Sequence, residues 1–306
     1  MSRISTAQIA QRAVETILDR QSSISDLQTT ITTGRAMTRI SDDPAAASQA
    51  ERTRSEIATN TVESRMIGFA RLRLSQAEGA LGDGQEIMQR ARDLMIAANN
   101  DTYSENDRAK FAAELTGLRN ELFSLANRSD GLGSYLFGGY GSRTAPFEDD
   151  GVSVTYAADP GAQLVGSDGR FAVSLDGRSL FENVDNLGAV KSVFGAFDDA
   201  IAALSDPANA TPDLHTAIAD QMRIIDGANE RFGTARAMAG HQLNAIDRAE
   251  QDLQRGELAA RERLSDLVDA DLAEAISRLA QQQTQLDAAM QTYVKISGRS
   301  LFDYIR

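Results

Sequence analysis

Residues 272–293 read LAEAISRLAQQQTQLDAAMQTY, and their reading decides the fold. The large apolar residues are Leu272, Ile276, Leu279, Leu286, Met290 and Tyr293, with Gln283 standing in at one position of the pattern. Alternating spacings of four and three mark a helix whose narrow apolar stripe is buried against a second helix. The stripe continues almost to the last residue, where Leu301, Phe302 and Tyr304 add further apolar surface. A chain end frays unless something holds it, so this stripe requires a partner.

The other end of the chain supplies one. From about Ser5 to Thr33, Val14, Ile17, Ile24 and Ile31 fall on one stripe, flanked by Leu18 and Leu27, with Gln21 and Gln28 between them. Polar residues in such a seam trade stability for register and partner choice. Gly34 reads as a helix stop, because glycine adopts the left-handed conformation without a Cβ clash. The next start is sharply marked: Asp43 suits the N-cap, Pro44 the first helical position and Ala45–Ala47 the first turn. Asp42 and Asp43 are therefore read as capping groups of a turn rather than as a pair of catalytic acids. The segment Arg35–Asp42 is expected to join two helices and reverse the chain.

Helical spacing then holds from Pro44 to about Asn99, and Gly68, Gly79, Gly82 and Gly84 within it point to a bend or a close contact. Ser104 with Asp107 resembles a capping box. The helix it opens carries Phe111, Leu115, Leu118, Leu122 and Leu125 and is expected to stop near Asp130–Gly133. Between Ser134 and Phe181 the character changes. Aspartate–glycine turns recur, Val152, Val154 and Tyr156 alternate, and Gln163–Ser167 with Arg170–Leu175 predict a hairpin turned at Asp168-Gly169. Helix is expected again at Leu187–Leu204, and from about Asp213 to Gln291 and beyond, with Gly227, Gly233, Gly240 and Gly256 as possible interruptions. The fold class is mainly α: long antiparallel helices, a terminal coiled coil formed by the N- and C-terminal segments, and a small β-rich insert. The expected division is residues 1–43 with 264–306, residues 44–133 with 187–263, and the insert 134–186.

Composition agrees with thin helical cores. There are 5 Pro, no Cys, no Trp and 6% aromatic residues, and about the last ninety residues lack proline altogether. The net charge is -13, so phosphate neutralisation, the main source of nucleic-acid and anionic-membrane affinity, has no basic surface to draw on. Residues 1–60 hold seven arginines against seven acidic residues, which puts the excess negative charge further along. Without cysteine there is no disulfide and no thiolate chemistry. No continuous apolar signal core opens the chain, and no apolar run is long enough to span a membrane.

Candidate catalytic groups are few. His215 and His241 have no metal-ligand spacing and read as helix-surface residues. Gly138-Gly139-Tyr140-Gly141 lacks a phosphate-loop lysine, and Gly131-Leu132-Gly133 lacks the third glycine of a dinucleotide fingerprint. Glu148-Asp149-Asp150 reads as a solvated turn, without the remaining ligand spacing of a calcium loop. The residues point to no enzyme, no cofactor and no metal.

Several motifs carry a resemblance. Arg3-Ile4-Ser5-Thr6, Ile31-Thr32-Thr33-Gly34-Arg35 and above all Ser41-Asp42-Asp43-Pro44-Ala45-Ala46-Ala47 resemble the N-terminal region of flagellins and flagellin-like junction proteins. Gly133–Gly139 with Pro146-Phe147 looks like the transition into their variable β domain. The ending Ile296-Ser297-Gly298-Arg299-Ser300-Leu301-Phe302-Asp303-Tyr304-Ile305 looks like the hook-associated protein 3 branch, where filament flagellins end in a leucine-rich tail. Two departures are the loop Arg35–Ile40 and the short variable domain.

The resemblance implies an extracellular structural protein of the bacterial flagellum, an adaptor between hook and filament, exported unfolded by the flagellar type III apparatus without a cleaved signal peptide. It implies self-assembly into a ring or layer, contact with a neighbouring hook-associated protein and with filament flagellin, and an export chaperone on the C-terminal helix, with no nucleic acid or membrane partner. On this reading Ile17, Ile24 and Ile31 pair with Leu272, Ile276, Leu279, Leu286, Met290 and Tyr293 in an inner coiled coil. Leu301, Phe302 and Tyr304 anchor its end or meet a neighbour. The alternatives are a minor or short flagellin and, more remotely, a secreted enzyme or length regulator with its site in the insert.

Overall fold

The computed structural model describes residues 6–37, 39–100, 103–141, 143–166, 169, 171–182, 184–186, 189–206 and 211–297. Among them are seven helices: α1 (Thr6–Thr33), α2 (Pro44–Ala98), α3 (Glu105–Ala126), α4 (Gly177–Phe181), α5 (Val193–Ser205), α6 (Thr211–Val268) and α7 (Leu272–Ser297). Three antiparallel two-stranded sheets join β1 (Phe147–Asp149) to β2 (Val154–Tyr156), β3 (Leu164–Val165) to β4 (Phe171–Ala172), and β5 (Val184–Asn186) to β6 (Ala189–Lys191). The chain forms two compact units, Met1–Asn60 with Arg255–Arg306, and Thr61–Gln254. These breaks fall inside α2 and α6, whereas the sequence reading divides the chain at 43/44 and 263/264.

In the first unit the stop and start signals act as the sequence dictates. Gly34 has φ +68 and ends α1. One Asp43 carboxylate oxygen accepts from the amides of Ala45 at 3.0 Å and Ala46 at 2.9 Å, which caps α2 immediately before Pro44. Asp42 accepts from the Arg39 amide at 2.9 Å and closes the turn. Periodicity alone runs α6 into α7 without interruption, but the structure breaks the chain at Asp269–Asp271. There the Asp271 carboxylate caps the amides of Ala273 at 2.9 Å and Glu274 at 3.0 Å. Asp271 followed by Glu274 is the sequence signal for this second start.

The second unit is built around one main core that includes Leu81, Met88, Met95, Leu115, Leu122, Phe194, Ile218 and Phe232. The insert shares this core through Phe137, Phe147 and Phe181, and a second cluster with Ile67, Leu74 and Ile246 through Phe171 and Val173. Phe181 stacks on Phe194 at 5.7 Å, and Phe147 and Phe232 each meet it edge-on at 5.0 Å. Such aromatic contacts add about 0.5–1.5 kcal/mol each beyond area burial. Gly84 resolves the glycine question in α2, which stays unbroken. A Cβ there would come within 2.5 Å of the Phe232 ring, so the glycine serves a close approach and not a bend. The glycines of α6 also leave it unbroken over 58 residues.

Four boundaries differ from the sequence reading. Helix α3 ends at Ala126 rather than near Asp130, because the Asn127 side chain leaves the helix to bond the backbone of Phe147 in both directions, at 2.9 and 3.0 Å. Val152 lies in an exposed turn, where Asp150 accepts from the amides of Val152 and Ser153, and not in the β2 strand. Asp176-Gly177 opens α4 with Asp176 as its cap, where a turn is expected. Residues 189–191 are strand β6, and α5 begins only at Val193. The predicted hairpin is present as β3–β4, with pairing confined to Leu164–Ala172 and Val165–Phe171. Asp168 of its expected turn lies outside the described residues.

Candidate assembly interface

Helices α1 and α7 pack on each other in antiparallel sense. At one end the Ala36 amide donates to Val268 O at 2.8 Å and the Ala270 amide to Gly34 O at 2.9 Å, so the two helix breaks form a backbone clamp. Fourteen residues back along α1, Arg20 Nη1 donates to Gln282 Oε1 at 3.4 Å and to Gln285. The index rises on one helix as it falls on the other.

Burial along the pair identifies the seam. On α1 the covered positions include Ala13, Ile17, Arg20, Ile24, Leu27 and Ile31; on α7 they include Ala275, Leu279, Gln282, Leu286, Ala289 and Tyr293. Ile17, Ile24, Ile31, Leu279, Leu286 and Tyr293 therefore lie where the sequence places them. The second line of each seam is displaced by one residue. Ala13, Arg20 and Leu27 take the place of Val14, Gln21 and Gln28, and Ala275, Gln282 and Ala289 that of Ile276, Gln283 and Met290. Bulk misleads here: small alanines permit close helix approach, and the larger side chains turn outward. Leu272 at 44%, Ile276 at 55% and Met290 at 40% exposure are thus corrected from seam to surface. They join Val14, Leu18 and Val294, which are also exposed. Given the register, Val14 lies level with Met290, so apolar surface gathers on both helices at the same height. Leu301, Phe302 and Tyr304 lie outside the described residues.

Beside the clamp, Arg35, Met37, Arg39, Ile40, Pro44 and Arg54 help to line a groove of about 500 Å³, in which Ile40 is 78% exposed. Glu51 lines the same groove and pairs with Arg54 at 3.1 Å.

The groups weighed for chemistry have structural occupations. Asp149 pairs with Arg119, which also reaches Asp198 at 2.8 Å. The hydrogen bond from Arg119, followed by that from the Gly151 amide, holds the Asp149 carboxyl below its usual range. His215 is half-buried and bonded to Asn99, not a free surface residue, while His241 is exposed. Residues 138–141 form a turn bonded to Leu175 and Asp159. Among the described residues no three His, Cys, Asp or Glu side chains are grouped to hold a metal ion, and no helix is long and apolar enough to cross a membrane.

A chain whose two ends return to form one helix pair, with apolar side chains left outside that pair, has the architecture of an assembly protein. Residues 4–142 match the bacterial flagellin N-terminal helical region and residues 222–305 the C-terminal helical region. The flagellar hook-associated protein 3 of Escherichia coli K12 is 31% identical over 98% of both chains, and that of Salmonella typhimurium LT2 is 30% identical over 99% of this chain and 100% of its own. Similarity of fold extends to a putative flagellar hook-associated protein from Vibrio parahaemolyticus, with TM-score 0.68 and 21% identity over 74% of this chain and all of that one. The chain belongs to the flagellin family, and the relatives within it that it matches at 30% identity or more over nearly the whole chain include two hook-associated protein 3 chains.

Proposed function

We propose that this chain is a structural component of the bacterial flagellum that joins hook to filament, acting by assembly and without catalysis. The observation that carries this reading is the end-to-end match to hook-associated protein 3 relatives, which includes both terminal helices. Bacillus subtilis flagellin is also a relative, at 26% identity over 81% of this chain, but that match is lower and shorter.

In mechanism, the α1–α7 seam closes the two chain ends on each other. The exposed Val14, Leu18, Ile276, Met290 and Val294 then offer apolar surface to neighbouring copies in a ring or layer. The layer meets a hook-associated protein on one side and filament flagellin on the other. Before assembly the same apolar surface needs cover, which an export chaperone on α7 provides. On this reading the chain leaves the cell through the flagellar type III apparatus. Ile276→Asp with Met290→Asp, expressed in a strain lacking the gene, tests this. Both side chains are exposed, so the fold persists, and the expected result is hooks that shed or lack filaments. Normal filament growth would exclude this surface from assembly.

A further inference from the structure

We infer that Arg20, with Gln282 and Gln285, is the register lock of the terminal helix pair. The apolar seam is nearly blind to a slide of one heptad. Ile17, Ile24 and Ile31 are the same residue at seven-residue spacing, and Leu279, Leu286 and Tyr293 repeat likewise on α7. A slide of seven residues therefore meets apolar side chains again, at a displacement of about 10 Å. Among the seam side chains only the second line distinguishes one register from another, through Arg20 between Ala13 and Leu27 and Gln282 between Ala275 and Ala289.

Arg20 is half-buried and has no carboxylate at its guanidinium among its described contacts. Nη1 donates to the two glutamine side-chain oxygens, and Nε is buried without a hydrogen-bond partner. A cation held this way is tolerated in one register only. A slide in one direction replaces Gln282 and Gln285 by Ala275 and Arg278, which sets Arg20 against a second guanidinium whose carboxylate, Glu274, is already paired with it at 2.6 Å. A slide in the other brings Ala289 and Thr292, leaving one hydroxyl for the whole guanidinium. Desolvating an unpaired cation costs far more than the repeated apolar contacts return. This is the use of a polar seam residue to specify register at some cost in stability. The clamp at Gly34 and Ala270 fixes one end with two backbone bonds, and Arg20 fixes the pair about 21 Å further along α1. Only this register sets Met290 level with Val14, so the lock also defines the outward apolar surface.

The test uses the absence of cysteine. Gln28→Cys and Gln291→Cys, both at exposed positions outside the seam, accept spin labels at those two sites alone, and electron-resonance distance measurement reads the register of the full chain. With Arg20 present the distance distribution has one peak. In Arg20→Leu a second peak emerges, displaced by about 10 Å, from molecules in which the two clamp bonds have opened, with helix content unchanged. Exchanging the partners, Arg20→Gln with Gln282→Arg, restores one peak. A single unshifted peak in Arg20→Leu overturns the lock, and so does a loss of helix in that variant, because the lock costs stability and does not supply it. Neither readout involves flagellar assembly, so failure here leaves the junction assignment untouched.

Discussion

Tyr156 illustrates how single residues tie the insert to its surroundings. Its hydroxyl donates to Phe137 O at 3.3 Å and lies 3.4 Å from Asp159 O. Burial, then the charges of Asp176, Asp159 and Glu182, raise its pKa from 10.0 to about 12. The folded value lies above the unfolded one, so this contribution is complete below pH 10 and is lost as pH climbs through about 12. Ultraviolet difference titration should therefore show a late-ionising component from Tyr156, absent in Tyr156→Phe, together with a steeper alkaline loss of stability in the parent. Asp43 and Gly34 are legible in the sequence because capping and left-handed turns depend on one residue type at one position. Arg20 is not, because a charged residue in a seam contradicts the apolar pattern that reveals the seam. Ala13, Ala275 and Ala289 are equally hidden, since alanine scores as weakly apolar although it sets the distance between helices.

At the scale of elements, long helices announce themselves and short strands do not. The period of α1, α2, α3, α6 and α7 repeats many times, and scattered glycines at about 1 kcal/mol each cannot outweigh a packed face. Strands of two or three residues carry too little pattern, so β5 and β6 are invisible and Val152 is misplaced. The turn after α3 is also set by tertiary contacts. Arg73 on α2 and Asp130 are almost fully buried, with Nε and Oδ2 3.5 Å apart, and Arg73 donates to Tyr135 O at 3.3 Å. The other Asp130 oxygen accepts from the amides of Leu132 and Ser134. Asp130→Ala leaves a buried cation unmatched and releases the turn, which should cost about 3–5 kcal/mol in denaturant unfolding. A loss within about 0.5 kcal/mol, the range of an ordinary surface change, would show that water reaches the pair.

For the whole molecule, charge is divided unevenly between the two units. Met1–Asn60 and Arg255–Arg306 together hold 14 basic and 15 acidic residues, so nearly all of the net -13 belongs to Thr61–Gln254. Like-charged surfaces repel at close range, whereas the nearly neutral terminal unit can approach its own copies without that penalty. This matches a chain that associates through its ends. The plan of the molecule was legible because both ends carry the same seven-residue rhythm, and family motifs beside them narrowed the reading to one branch. The outward surface is not legible in the sequence, because Val14, Ile276 and Met290 keep the spacing of the seam. The central claim, an adaptor placed between hook and filament, is tested most directly by gold-labelled antibody against this chain on intact flagella in the electron microscope. The account predicts label confined to one short band where hook meets filament. Label along the filament would make the chain a minor flagellin and contradict it.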